Sequence, residues 1–235
     1  MISSTLDGAS TSLSHIFLTH WHGDHTGGVP DLIRLYPSLA TAVYKNSPGK
    51  DQQPITDGQI FEVEGATIRA VHSPGHSQDH MCFILEEENA MFTGDNILGH
   101  GTSAVEELGV YMASLRAMQS HGCTTGYPAH GAVIPDLRAK ISGELAQKTR
   151  RERQVLETLE KVRKEQRSST GPRKARSVTV QELVALMHGS TIDQEVRARA
   201  LEPFMDEVLR KLAEDGKVAF EIRDGGKRWF AIGRV

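Results

Sequence analysis

The stretch His20-Trp21-His22-Gly23-Asp24-His25 directly follows a short apolar run, Ile16 to Thr19, and decides how the rest of the chain is read. The run reads as a buried strand, and the six residues after it hold four side chains able to ligate a metal, on the turn that leaves the strand. A loop need not alternate sides as a strand does, so all four can converge on one or two ions. Gly23 relieves crowding where the backbone bends. The bland alternative is a chance histidine-rich surface loop, and the remainder of the sequence argues against it.

Three further pieces follow in order: Pro74-Gly75-His76 after a strand over Ala66 to Val71, Thr93-Gly94-Asp95 after a strand over Ala90 to Thr93, and Pro128-Ala129-His130-Gly131 after a strand near Thr125 to Tyr127. Each sets one ligand-type residue just past a strand end, beside a glycine that permits a tight turn. Read together, the pieces resemble the metallo-β-lactamase superfamily. The resemblance implies an α+β fold, an αββα sandwich with metals at one edge between its two sheets. Carried over residue by residue, it implies His20, His22 and His76 on a first metal, Asp24, His25 and His130 on a second, and Asp95 bridging both. It also assigns Asp24 a proton donor and acceptor role, which makes it the expected catalytic residue. Two zinc ions are expected, and manganese is compatible with a ligand set of nitrogen and oxygen.

Longer stretches sharpen the resemblance: "THWHGDHTGGVPDLI", "PGHSQDHMCFILEEENAMFTGDNILGHGTSAVEELGVYMASL" and "GYPAHGAVI". They look like the branch that holds human-type endoribonucleases and fungal thioesterases releasing aromatic polyketides from acyl carrier protein. The likeness is greatest to fungal lactamase-like proteins encoded beside non-reducing polyketide synthases, the atrochrysone carboxyl ACP thioesterase type. The thioesterase part of that match rests on the loop Gly94 to Leu108. It implies secondary metabolism and a carrier protein with bound polyketide as partner. Members of the family carry several strands upstream of the histidine-rich loop, whereas about fourteen weakly patterned residues precede it here. The expectation is an N-terminally truncated or reduced sandwich with an apolar edge exposed beside Ile16 to Thr19.

Other histidines have plainer roles. His80 is expected to orient a ligand rather than be one, His100 is either a substrate contact or a loop residue, and His15, His72, His121 and His188 read as surface or packing residues. Cys82, in the apolar run with Met81 and Phe83, reads as a buried thiol.

Beyond the motifs, charge is uneven. The chain has 235 residues and a formal net charge of −3, yet its first 137 residues carry 5 Lys and Arg against 15 Asp and Glu, and ten of its eleven histidines. Residues 138–177 carry 13 basic against 5 acidic side chains. The pattern predicts a metal domain over 1–137, a charged helical connector over 138–171 ending at Ser168-Ser169-Thr170-Gly171-Pro172, and a winged-helix domain over 172–235. In the last, Thr179 and Glu182 form a capping box, Pro203 opens a helix that Gly216 closes, and Asp224-Gly225-Gly226 turns a hairpin.

Composition excludes several classes. With 38% hydrophobic and 24% charged residues the chain is neither disordered nor fibrous. No apolar run of about 18 residues occurs, so no membrane span is expected, nor does the N-terminus read as a signal peptide. Two cysteines make no disulfide framework and fit a reducing, cytoplasmic setting. No Gly-x-Ser-x-Gly elbow, Walker A loop or dinucleotide fingerprint is present. A metal-dependent endoribonuclease and an inactive, truncated binding module remain as alternatives, but the acidic metal domain argues against a polyanionic partner.

Overall fold

The computed structural model describes residues 12–167, 177–189 and 192–232, so the linker expected at 168–172 lies outside the described residues. Strand β6 (Met81–Leu85) shows why the centre of the molecule is layered. Met81, Cys82, Phe83 and Ile84 are all buried, and successive side chains of a strand point to opposite faces, so both faces must be covered.

One face meets a second sheet. The five-stranded sheet runs in the order β4 (Ile60–Val63), β5 (Ala66–His72), β6, β7 (Ala90–Gly94) and β8 (Thr125–Pro128), antiparallel except for the parallel β7–β8 pair. A three-stranded parallel sheet holds β1 (Ile16–Leu18), β2 (Val43–Lys45) and β3 (Gln53–Pro54). Ile55, Ala70, Met81 and Phe83 form the core between them, with Phe17, Tyr44, Phe61 and Ile68 packed against it. Phe17 sits 4.6 Å from Phe61 and 5.3 Å from Phe83 between ring centres. His15 stacks on Phe17 at 5.6 Å and so joins this aromatic cluster as a packing residue.

The other face of β6 is covered by the helix over Leu108–Ser120. There Cys82 Sγ lies 4.0 Å from Met118 Sδ, and Leu108, Met112, Leu115 and Met118 are each at most 2% exposed. Burial pushes the Cys82 thiol up to about 12, so it is inert as a nucleophile.

Between β1 and β2 run two short helices, α1 (Gly23–Thr26) and α2 (Val29–Leu35), and a 3-10 turn over Pro37–Thr41. The helix over the sheet is α3 (Leu108–Ser120), and α4 (Leu137–Arg167) follows β8. β1 pairs with β2 alone among the described residues, so its other edge carries no strand there.

The chain divides into two compact units, one of Met1–Ala104 with Val110–Ile141 and the other of Val105–Gly109 with Ser142–Val235. In the second unit, α4 buries Val155, Leu159 and Val162 at helical spacing. Helix α5 (Val180–His188) opens on the Thr179/Glu182 capping box, followed by a short helix α6 (Gln194–Val196), a π-helical stretch over Arg197–Leu201 and α7 (Glu202–Glu214). Strands β9 (Val218–Arg223) and β10 (Gly226–Ala231) pair antiparallel across Asp224 and Gly225, whose φ of 52° and 76° are those of a tight hairpin turn. Two basic residues of α4 have an acidic or polar neighbour: Arg153 meets Glu157 at 4.0 Å and Arg151 meets His188 at 2.9 Å. No described helix is long and apolar enough to cross a membrane.

Candidate metal centre

All seven ligand-type residues read from the sequence come together at strand ends of the first unit. Beyond β1, Thr19 O accepts from Met81 N at 2.7 Å, tying the two sheets together where the histidine-rich loop begins. The His22 carbonyl then accepts from the amides of His25 and Thr26, both at 3.1 Å, and starts α1. That single turn brings Asp24 and His25 round to face His20.

Two loops bring the ligands beyond β5 and β7. Gly75 has a φ of 128°, and a Cβ there would lie 2.3 Å from the Tyr111 Cα, so the His76 loop rests on α3 as no other residue would allow. His76 Nδ1 faces Ala104 O at 2.9 Å and Ser103 Oγ at 3.1 Å, which turns its Nε2 inward. Asp95 follows Gly94 (φ 49°), where a Cβ would lie 2.6 Å from His80 Nε2. The Asp95 amide donates to that same Nε2 at 3.0 Å.

His80 is therefore protonated on Nδ1, toward Ser73 Oγ at 3.0 Å, and burial followed by the neighbouring imidazoles holds its pKa well below the usual value. It seats the backbone of Asp95, as a ligand-orienting residue would. His80→Gln is expected to weaken metal binding about 10- to 100-fold while both ions still load at saturating metal. Competition titration against a chromogenic chelator measures this, and unchanged affinity removes the role.

His130 is brought in by Ala129 N donating to Gly94 O at 3.2 Å and by Gly99 N donating to His130 O at 2.8 Å. The β7–β8 register shifts between Phe92 and Gly94, just before the Asp95 loop leaves the sheet.

The side chains form two adjoining groups, His20, His22, His76 and Asp95, and Asp24, His25 and His130. In the first, His20 Nε2 lies 2.8 Å from His22 Nδ1, and His76 Nε2 lies 3.2 and 3.1 Å from those two atoms. In the second, Asp24 Oδ2 is 3.2 Å from His130 Nε2 and 3.5 Å from His25 Nε2. Asp95 divides its oxygens: Oδ2 lies 3.7 Å from His76 Nε2, while Oδ1 lies 3.4 Å from His25 Nε2 and 3.5 Å from His130 Nε2.

This donor set fits divalent cations. Three imidazole nitrogens in mutual contact cannot all be satisfied by protons between them. The buried His25 Nε2 and Asp95 Oδ1 have no hydrogen-bond partner among the described residues, a costly state that a cation would relieve. Burial, then the charges of His25, His76 and His22, push His20 down to about 3, so its ring is neutral and ready to ligate. Asp24 is exposed. Against an upward push from desolvation, its backbone amide and the charges of His25, His130 and His20 hold its carboxyl below the usual value.

Two positioning features carried no sequence signal. Thr19 Oγ1 meets the Nδ1 atoms of both His20 and His25, at 3.0 and 3.2 Å, and so aims one ring into each group. Lys45, at the end of β2, forms a buried ion pair with Asp79 on the loop between His76 and His80. Lys45 also donates to the carbonyls of Asn46 and Ser47, and Asp79 accepts from Ser77 Oγ at 2.8 Å. The remaining histidines lie elsewhere: His72 and His100 are exposed, His121 contacts Arg69 at 3.3 Å, and His188 belongs to the second unit.

Residues 10–132 match the family model of the metallo-beta-lactamase superfamily. The chain is 70% identical to an atrochrysone carboxyl ACP thioesterase of Emericella nidulans, over 99% of this chain and 72% of that protein. It is 69% identical to a thioesterase of the same name from Aspergillus aculeatus, over 99% and 73%. A lactamase-like protein of Pestalotiopsis fici is 68% identical over 99% and 72%. Among solved structures, a metallo-beta-lactamase family protein of Thermus thermophilus aligns with a TM-score of 0.62 over 93% of this chain and 72% of that one, at 21% identity. That likeness concerns the fold alone.

Proposed function

Since the chain belongs to the metallo-beta-lactamase superfamily, we propose that it is a metal-dependent thioesterase that releases an aromatic polyketide from acyl carrier protein, using His20, His22, His76, Asp24, His25, His130 and Asp95 to hold two zinc ions. The observation that carries the metal part of this reading is the division of the two Asp95 oxygens between the two groups of ligands. The substrate is taken from relatives that share about 70% of their residues with this chain and are named for it.

Two bound divalent cations would acidify water and polarise the acyl carbonyl. Asp24 accepts the proton that the attacking water loses and returns it to the departing thiolate, so acid and thiol leave with atoms balanced. It is exposed, and its lowered pKa means that it starts as the ionised carboxylate able to take a proton. Asp95 holds the two groups in register, and His76 is kept in its ligating tautomer by Ala104 O. The same ligand set is compatible with manganese.

The order of α5, α7 and the β9–β10 hairpin supports reading residues 172–235 as a winged-helix domain, joined by a connector over 138–171 to a catalytic domain over 1–137. Acyl carrier protein is the proposed partner and the cytoplasm the proposed setting. A parallel assay on an acyl carrier protein thioester and on single-stranded RNA tests the function. Thioester cleavage abolished by chelator and restored by zinc is expected, with RNA cleavage far weaker. Chelator-sensitive RNA cleavage without thioester cleavage overturns the reading in favour of an endoribonuclease.

A further inference from the structure

Trp21 is anomalous in its position. It stands between two ligand-type residues, His20 and His22, whose rings turn into the cluster, and its own indole is 57% exposed. More than half of this residue is left to solvent, and its ring contact among the described residues is with His22. The chain's other tryptophan, Trp229, is 2% exposed and packs on Phe220 in the second unit.

Among the described residues the ligand-type side chains are unevenly exposed, and His22 is half-buried. His20 and His76 are 0% and 6% exposed, and the side chains of His25 and Asp95 only 10% and 12%. Those of Asp24 and His130 are 59% and 43% exposed. The cluster is therefore most accessible at Asp24 and His130, with His22 partly accessible beside Trp21. The Trp21 ring lies 4.5 Å from the ring of His22, centre to centre, at 67° to it. It is thus in ring contact with a ligand-type residue of the first group, on the loop that carries both His20 and His22.

We propose that Trp21 is a specificity-determining residue, the platform on which the flat, conjugated part of an acyl group lies while its thioester carbonyl reaches the metal centre. This rests on the thioesterase reading above and deepens it, naming a planar aromatic or polyketonic acyl chain as the group preferred over a saturated one. The physical cause is face-to-face or edge contact between π-systems, which an aliphatic chain of equal area does not share.

The test uses the full metal-loaded chain and two thioesters on one carrier protein, 2-naphthoyl and octanoyl. With two metals per chain verified, Trp21→Ala is expected to lower the naphthoyl-to-octanoyl ratio of kcat/KM roughly 3- to 10-fold, chiefly through KM of the naphthoyl substrate. Trp21→Phe, which keeps a ring, should retain most of the ratio and guards against a loop that fails to form. A second readout is independent of turnover: free 2-naphthoate should quench the exposed Trp21 emission in the wild type, and Trp21→Phe, with only Trp229 emitting, should show no such quenching. A ratio within about twofold of wild type, or an equal loss for both substrates, overturns the inference, since the latter marks a contact to the carrier protein. If the wild type quenches with naphthoate but cleaves neither thioester, Trp21 remains an aromatic platform and the thioesterase reading fails instead.

Discussion

Asp24→Asn lowers thioester turnover roughly 10²- to 10⁴-fold, the range that a positioned general acid and base contributes, while the melting temperature of the metal-free protein hardly moves. Asp24 is on the exposed rim, so the folded chain loses little packing with it. What is lost is the carboxylate opposite His130 Nε2 at 3.2 Å, and with it both an anionic ligand of the second group and the base. His76→Ala acts differently. His76 is buried and meets His20 and His22 at 3.2 and 3.1 Å, so its removal empties the first group and should drop metal content below two per chain. Elemental analysis of both variants beside wild type, with turnover on one thioester, separates the two effects. Wild-type protein that is well folded yet holds one metal or none contradicts the two-ion assignment.

Lys45→Met destabilises the chain by about 3–5 kcal/mol, as does Asp79→Leu, because each leaves its partner charged and buried without a counter-ion. Both groups are under 10% exposed. Replacing both together with Met and Leu should be close to neutral in stability, since two desolvated charges vanish along with their attraction. Function should not recover in the double variant. Asp79 lies between His76 and His80, and its pair with Lys45 is what anchors that loop to the end of β2. Chemical denaturation of the three variants measures the stability cycle, and metal affinity measures the loop. Single variants that melt like wild type would show that the pair is solvated in solution.

The clustering of ligand-type residues was legible because its chemistry is local. His76, Asp95 and His130 each follow a strand end by one to four residues and have a glycine beside them, as in Gly75-His76 and Gly94-Asp95, and strands over Met81–Leu85 and Ala66–His72 announce themselves by apolar runs bounded by turn residues. Strands β2 and β3 carry no such signal. Val43–Lys45 is three residues long and Gln53–Pro54 two, too short for a period to register, and they form only because β1 and a neighbouring aromatic core accept them.

Ligand-type residues on loops just past strand ends are a property of the sequence alone, and through the resemblance they carry, His20, His22, Asp24, His25, His76, Asp95 and His130 could be named from it. Which atom of each faces inward is not. Thr19 aims His20 and His25 with one hydroxyl, and Ala104 O sets the tautomer of His76. Lys45 reaches Asp79 across 34 residues of chain, and Asp95 parts its two oxygens between two groups. These depend on hydrogen bonds and ion pairs between segments distant in sequence, whose strength comes from burial, and burial exists only once the sheets have packed.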